Sequence, residues 1–222
     1  MYYMSALKVV RRTAFKHLHG IPYEVIAFLD KAIENQDQHY TRAFRGTWDP
    51  TVHFIRFAMP DGKVVNGGLM EAIESLMEDT RAPDFKVDAT SKKSVDAFQH
   101  LLILLCDLTN PFHSHPVSQE YSDAVSGTFS RDVKEALSYN LIPFPYELRK
   151  EAFIPKVSKM IFAQHVASME GYKRMLLPAY VNGNGYPCCK PTIHDWFVDS
   201  FTLVTNILMG VLYEASNMEW GS

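Results

Sequence analysis

The apolar run from Leu101 to Cys106 constrains the fold of this chain more than any other segment. Together with Phe98, its side chains cover nearly the whole circumference of a helix, and a helix of that kind lies inside a protein rather than on its surface. Ser91 or Ser94 can cap its start, and Asp107 stands at its end. The segment therefore predicts a central, buried helix that ends in a carboxylate.

The remaining patterns are also helical. Apolar residues at helical spacing predict further helices at about 22–38, with proline at its start, and at about 69–79, 117–138, 146–176 and 192–215. Strand signals are sparse: His53–Phe57 alternates weakly and predicts a short extended segment, and Pro60-Asp61-Gly62 is typical of a turn. The chain has 222 residues and no obvious linker. We therefore expect one all-α domain, a compact multi-helix unit over residues 1–222.

Composition limits the class of partner and compartment. The net charge of −3 provides no global basic field, which argues against stoichiometric coating of nucleic acid. No apolar run is long enough for a transmembrane segment, and the first residues do not resemble a secretory signal. Cys106, Cys188 and Cys189 lack both the spacing of a metal site and the pattern of a disulfide framework. We expect an intracellular, cytoplasmic protein.

The end of the apolar helix carries the most informative chemistry. Burying an unpaired carboxylate costs several kcal/mol, so Asp107 must reach solvent, a cap, a cation or a metal. Pro111 ends the helix, and a chain reversal would bring the imidazole of His113 back beside the carboxylate. Carboxylate and imidazole are ligands of zinc and similar ions. The alternative is that Asp107 and His113 form only a helix-end cap and a hydrogen-bonded pair.

The stretch from Phe98 to His113, with its core DLTNPFH, resembles the zinc-dependent phospholipase C and S1/P1 nuclease superfamily. The hallmark of that family is a buried helix with His-x₃-Asp, followed by x₃-Pro-x-His. The resemblance implies an all-helical fold of the phospholipase C and P1 nuclease type and a cluster of up to three zinc ions. It also implies hydrolysis of phosphodiesters, either in phospholipids or in single-stranded nucleic acid.

Other positions match the family less specifically. His53, which follows Trp48-Asp-Pro and precedes an aromatic residue, is similar to the family's loop histidine. Lys16-His-Leu-His19 resembles its first helical histidine, and Asp37, or alternatively Asp30, its upstream aspartate. Gln119-x₃-Asp123 has the spacing of its later ligand pair. The resemblance thus implies a catalytic, metal-bridging Asp107 within a ligand set of His19, Asp37, His53, Asp107, His113 and Asp123.

The chain departs from the family at several ligand positions. Ile103 replaces the histidine four residues before Asp107, and His100 is about 10 Å from Asp107 along the helix axis at 1.5 Å per residue. The amino-terminal tryptophan that ligates metal in the family is replaced by Met1. We therefore expect fewer than three zinc ions and, if the site is active, a phosphodiester substrate. The alternative is a catalytically inactive relative that serves as a structural or binding protein.

Overall fold

The computed structural model describes residues 22–34, 50–59, 61–110 and 113, and shorter stretches at 159–160, 163–167, 169–170, 203–204, 207–208 and 210–212. Most of these residues are helical, and the strands among them form one antiparallel pair. The expected predominance of helix is therefore confirmed for the described part of the chain.

The first described helix, α1, spans Tyr23–Glu34. Pro22 precedes it rather than occupying its first position, and the Pro22 carbonyl accepts the amide of Ile26 at 3.4 Å. Its buried face contains Val25, Phe28, Leu29 and Ala32. That apolar stripe is the reason this segment packs as a helix against the rest of the core.

A β-hairpin follows a short 3-10 helix, Pro50–His53. Strand β1, Arg56–Ala58, pairs antiparallel with β2, Val64–Asn66. Between them Gly62 has a φ of 84°, a conformation that glycine adopts without steric cost. The prediction of an extended segment over 53–57 was wrong at its start, because His53 belongs to the 3-10 helix and pairing begins at Arg56.

Helix α2 spans Leu69–Asp79, the bounds that the apolar spacing predicts. Leu69, Ile73 and Met77 recur at four-residue intervals and are buried. They face the core, where α2 packs against the following helix, α3. Gly68 occupies the amino-terminal cap position of α2, so the hairpin leads directly into this helix.

Helix α3, Lys92–Thr109, is the buried helix that the apolar run predicts. Ser91 occupies its cap position without a side-chain capping bond, and every residue from Leu101 to Thr109 is buried. The Phe28 ring of α1 meets the Phe98 ring edge to face at 5.3 Å. The Gln99 side-chain amide donates to the Ala32 carbonyl at 2.6 Å. Both contacts join α3 to α1.

The later described residues extend the helical pattern. Those at 159–160, 163–167 and 169–170 are helical, in agreement with the predicted helix at 146–176. Those at 203–204, 207–208 and 210–212 are helical and buried, in agreement with the one at 192–215. The predicted helix at 117–138 lies outside the described residues. Within the described part, no helix is both long enough and apolar enough to cross a membrane.

Candidate metal centre

Asp107, near the end of α3, is 0% exposed. Its Oδ2 lies 2.6 Å from Nδ1 of His53, the last residue of the 3-10 helix and also buried. An ionised carboxylate only accepts hydrogen bonds. Nδ1 of His53 is therefore the donor, and a residue 54 positions earlier in the chain compensates the buried carboxylate.

His113 lies near the other oxygen of the same carboxylate. Helix α3 ends at Thr109, and Asn110 turns into extended backbone with ψ 114°, as residues before proline tend to do. Nδ1 of His113 then lies 3.4 Å from Asp107 Oδ1 and 2.8 Å from the backbone carbonyl oxygen of His53. These distances place the imidazole of His113 beside the Asp107 carboxylate, as the sequence predicts.

Backbone contacts fix the segment that carries His53. The Phe54 amide donates to the Thr51 carbonyl at 3.1 Å, and the Ile55 amide donates to the His113 carbonyl at 3.2 Å. The Gly67 amide donates to the Ile55 carbonyl at 2.8 Å. A Cβ atom on Gly67 would lie 1.8 Å from the Phe54 carbonyl oxygen, so only glycine permits this approach.

Phe54 packs directly on the second imidazole. Its ring and the His113 ring are stacked, with centroids 4.5 Å apart and planes 6° from parallel. Phe54 itself is 0% exposed. The His113 ring therefore has an aromatic neighbour on one face, in addition to the polar contacts at Nδ1.

The donor types in this cluster fit a divalent ion. Two imidazoles are common zinc ligands, and each has its Nδ1 engaged by an acceptor, as metal-binding histidines usually do, so Nε2 would be the coordinating atom. Asp107 accepts from Nδ1 of His53, so in this geometry it would orient that imidazole and add negative charge near the ion. The described residues nevertheless contain no group of three or more His, Cys, Asp or Glu side chains arranged to hold a metal ion. A complete site would therefore need further donors, and the sequence offers His19, Asp37 and Asp123, all outside the described residues.

Two neighbouring α3 residues do not add to the ligand set. Ile103, four residues before Asp107, is 2% exposed and is part of the core. Cys106 is fully buried and free, as its place at the end of the apolar run predicts. Burial, and then the charge of the adjacent Asp107, raise the pKa of the Cys106 thiol well above its ordinary value, so it stays protonated.

The sequence brings His53, Asp107 and His113 to attention, and the structure places them together. The sequence does not predict that the His53 backbone carbonyl accepts a hydrogen bond from His113, nor that Phe54 stacks on the His113 ring. The adjacent glycines at 67 and 68 were an available signal, because a Gly-Gly pair before a helix suggests a close backbone approach.

Comparisons of the chain with protein-family models, curated proteins and solved structures gave no significant match. The function is therefore inferred from the motif and from the geometry around Asp107.

Proposed function

We propose that this protein is a metal-dependent phosphodiester hydrolase that holds fewer than three zinc ions at Asp107. The observation that carries the proposal is that one buried carboxylate lies within 2.6 Å of an imidazole from the 3-10 helix and within 3.4 Å of a second from beyond α3. The phosphodiester substrate class rests on the resemblance of the segment from Phe98 to His113 to zinc phospholipases C and S1/P1 nucleases.

Each residue of the cluster has a distinct role in this proposal. Asp107 supplies the negative charge that attracts a divalent ion, and His53 and His113 supply imidazole ligands. A zinc ion bound there would polarise phosphoryl oxygens and lower the pKa of a bound water. Burial of all three side chains lowers the local dielectric, so the Asp107 charge acts more strongly than it would at the surface.

The direct test is metal content together with phosphodiesterase activity. Protein purified without chelators should contain zinc below three ions per chain and should hydrolyse an activated phosphodiester such as bis(p-nitrophenyl) phosphate. Asp107→Asn keeps the shape of the side chain but removes its charge. Zinc affinity and activity should both fall by at least roughly tenfold. That is the lower end of the loss seen when a residue that only hydrogen-bonds to a metal ligand is changed.

Asp96→Asn is the matched control, because it makes the same chemical change on the same helix. Asp96 is eleven residues before Asp107, or about 16 Å along the axis at 1.5 Å per residue. The Asp96→Asn variant should retain the zinc affinity of the unmodified protein. His113→Gln combined with Asp107→Asn should give strongly non-additive losses, since residues of one metal site act as a unit. Additive effects would contradict a shared site.

A catalytically inactive binding or structural protein is the second candidate. The buried Ile103 in place of a family ligand favours it, because the loss of one ligand can abolish metal binding while the helix still packs. Under this candidate, the protein dialysed against zinc would hold no metal, and Asp107→Asn would change neither metal content nor activity. Those two results would replace the hydrolase proposal.

A further inference from the structure

The His113 ring is constrained at both its face and its edge. One face stacks on Phe54, with ring planes 6° apart. At the edge, Nδ1 lies 2.8 Å from the His53 carbonyl oxygen. The stack fixes the plane of the ring. The hydrogen bond selects one of the two orientations in that plane, which differ by a 180° rotation about the bond to Cβ, so the two contacts together define a single orientation.

The hydrogen bond to the backbone also determines where the ring proton lies. A carbonyl oxygen has lone pairs and no hydrogen, so it can only accept. Nδ1 of His113 must therefore carry the hydrogen, and in the neutral ring the free lone pair is on Nε2. The second contact of Nδ1, to Asp107 Oδ1 at 3.4 Å, favours the same tautomer because a carboxylate also accepts.

Phe54 is itself firmly placed. Its amide donates to Thr51, its carbonyl accepts from the Leu69 amide at 3.3 Å, and Gly67 lies against that carbonyl. The side chain is 0% exposed, so it does not present a face to a substrate in solution. Its influence on the site passes through the ring of His113.

We propose that Phe54 is a positioning residue. Together with the His53 carbonyl, it fixes His113 in the Nδ1–H tautomer and directs Nε2 toward the metal ion. The role in metal binding rests on the proposed function, whereas the ring geometry and the tautomer do not. A ligand whose orientation is fixed in advance loses less freedom when an ion binds, so its affinity for the ion is higher.

The test uses the full chain, metal-free and ¹⁵N-labelled, at a pH well above the ordinary imidazole pKa of about 6.5. Long-range ¹H–¹⁵N spectra distinguish protonated from unprotonated ring nitrogens. His113 should show a protonated Nδ1 and an unprotonated Nε2. An Nε2–H tautomer for His113 in the unmodified protein would overturn the proposal without any variant.

Phe54→Leu then removes the aromatic face and should give a mixture of His113 tautomers. Phe28→Leu is the matched control: Phe28 is equally buried, its ring contacts are Phe85 and Phe98, and it should leave the His113 signals unchanged. Phe54→Tyr retains a flat ring and should retain the tautomer, which provides a readout if the leucine variant does not fold. An unchanged tautomer in folded Phe54→Leu would overturn the role of Phe54.

Zinc titration of the same proteins separates this inference from the proposed function. Phe54→Leu should weaken zinc binding by about 10–100-fold, the range for partners that orient a ligand, and Phe28→Leu should not. If the unmodified protein binds no zinc, the metal proposal is wrong, while the tautomer result still decides the position of the ring. Equal zinc affinity in Phe54→Leu and the unmodified protein would contradict positioning by Phe54.

Discussion

The Asp107 carboxylate is fully buried, and its immediate neighbours explain how the fold tolerates it. A buried donor or acceptor that loses its partner costs about 1–3 kcal/mol, and more when the group is charged. Here the carboxylate accepts from His53 at 2.6 Å. Replacing either residue alone leaves the other without this hydrogen bond, whereas replacing both with apolar groups removes both buried polar groups. The two residues should therefore be strongly coupled in stability.

A double-mutant cycle with Asp107→Leu and His53→Leu tests this coupling. Each single change should destabilise the protein, and the double variant should be more stable than the sum predicts by about 1–3 kcal/mol. Urea unfolding of the metal-free proteins provides the measurement. Asp84 and Lys93 form an exposed ion pair, and neutralising both in a parallel cycle should give a much smaller coupling. Equal coupling in the two cycles would contradict a special role for burial.

The site shows which residue-level inferences a sequence permits. Asp107 was recognisable because a charge at the end of an apolar run must be compensated. His113 was recognisable because Pro111 predicts the end of the helix just before it. His53 was found only through a weak motif, since no local pattern links residues 54 apart. The stack of Phe54 on His113 was not predicted, because it depends on how the 3-10 helix and the end of α3 meet in space.

Among the elements, predictability followed the strength of the periodic signal. Helix α2 has the bounds that its spacing predicts, and α3 extends two residues beyond the predicted end at Asp107. The hairpin was predicted only in part, at its turn and at Arg56 and Phe57 of β1, because strands of three residues carry little alternation. The 3-10 helix was missed for the same reason. It nevertheless carries His53, so the least predictable element contributes to the candidate site.

Gly67→Ala should show how this element depends on a backbone contact. The new Cβ would lie 1.8 Å from the Phe54 carbonyl oxygen and 2.6 Å from that of Thr51, so the backbone must move. We expect a loss of about 1–3 kcal/mol in the free energy of unfolding, the usual cost of overpacking. The movement should also displace the ring of Phe54 and change the His113 ring signals.

Gly68→Ala is the control for this change, because it places the same methyl group one residue later. Its Cβ would meet only ordinary contacts, the nearest being Val52 Cγ1 at 3.7 Å. It should cost clearly less stability, limited to the weaker capping by alanine, and leave the His113 signals in place. Similar losses in both variants would show that the contact between Gly67 and Phe54 is not the cause.

At the scale of the whole molecule, the candidate site joins separate parts of the fold. Asp107 belongs to α3, His53 belongs to the 3-10 helix that leads through the hairpin to α2, and His113 comes four residues after the last residue of α3. An unfolded chain does not hold these three side chains together. An ion that binds them therefore binds the folded state preferentially, and metal binding becomes a contribution to the stability of the whole protein.

Thermal unfolding in the presence of zinc tests this linkage. An ion at a free concentration of 100 times its Kd stabilises the folded state by about 2.7 kcal/mol. For a chain of this size that corresponds to a rise in Tm of roughly 5–11 °C, at about 2–4 °C per kcal/mol. Asp107→Asn at the same zinc concentration should show a much smaller rise, because its weaker affinity lowers the ratio of free ion to Kd. Asp96→Asn should respond like the unmodified protein. An equal rise in Asp107→Asn would place the bound ion elsewhere in the chain, and the absence of any rise in the unmodified protein would favour the inactive relative.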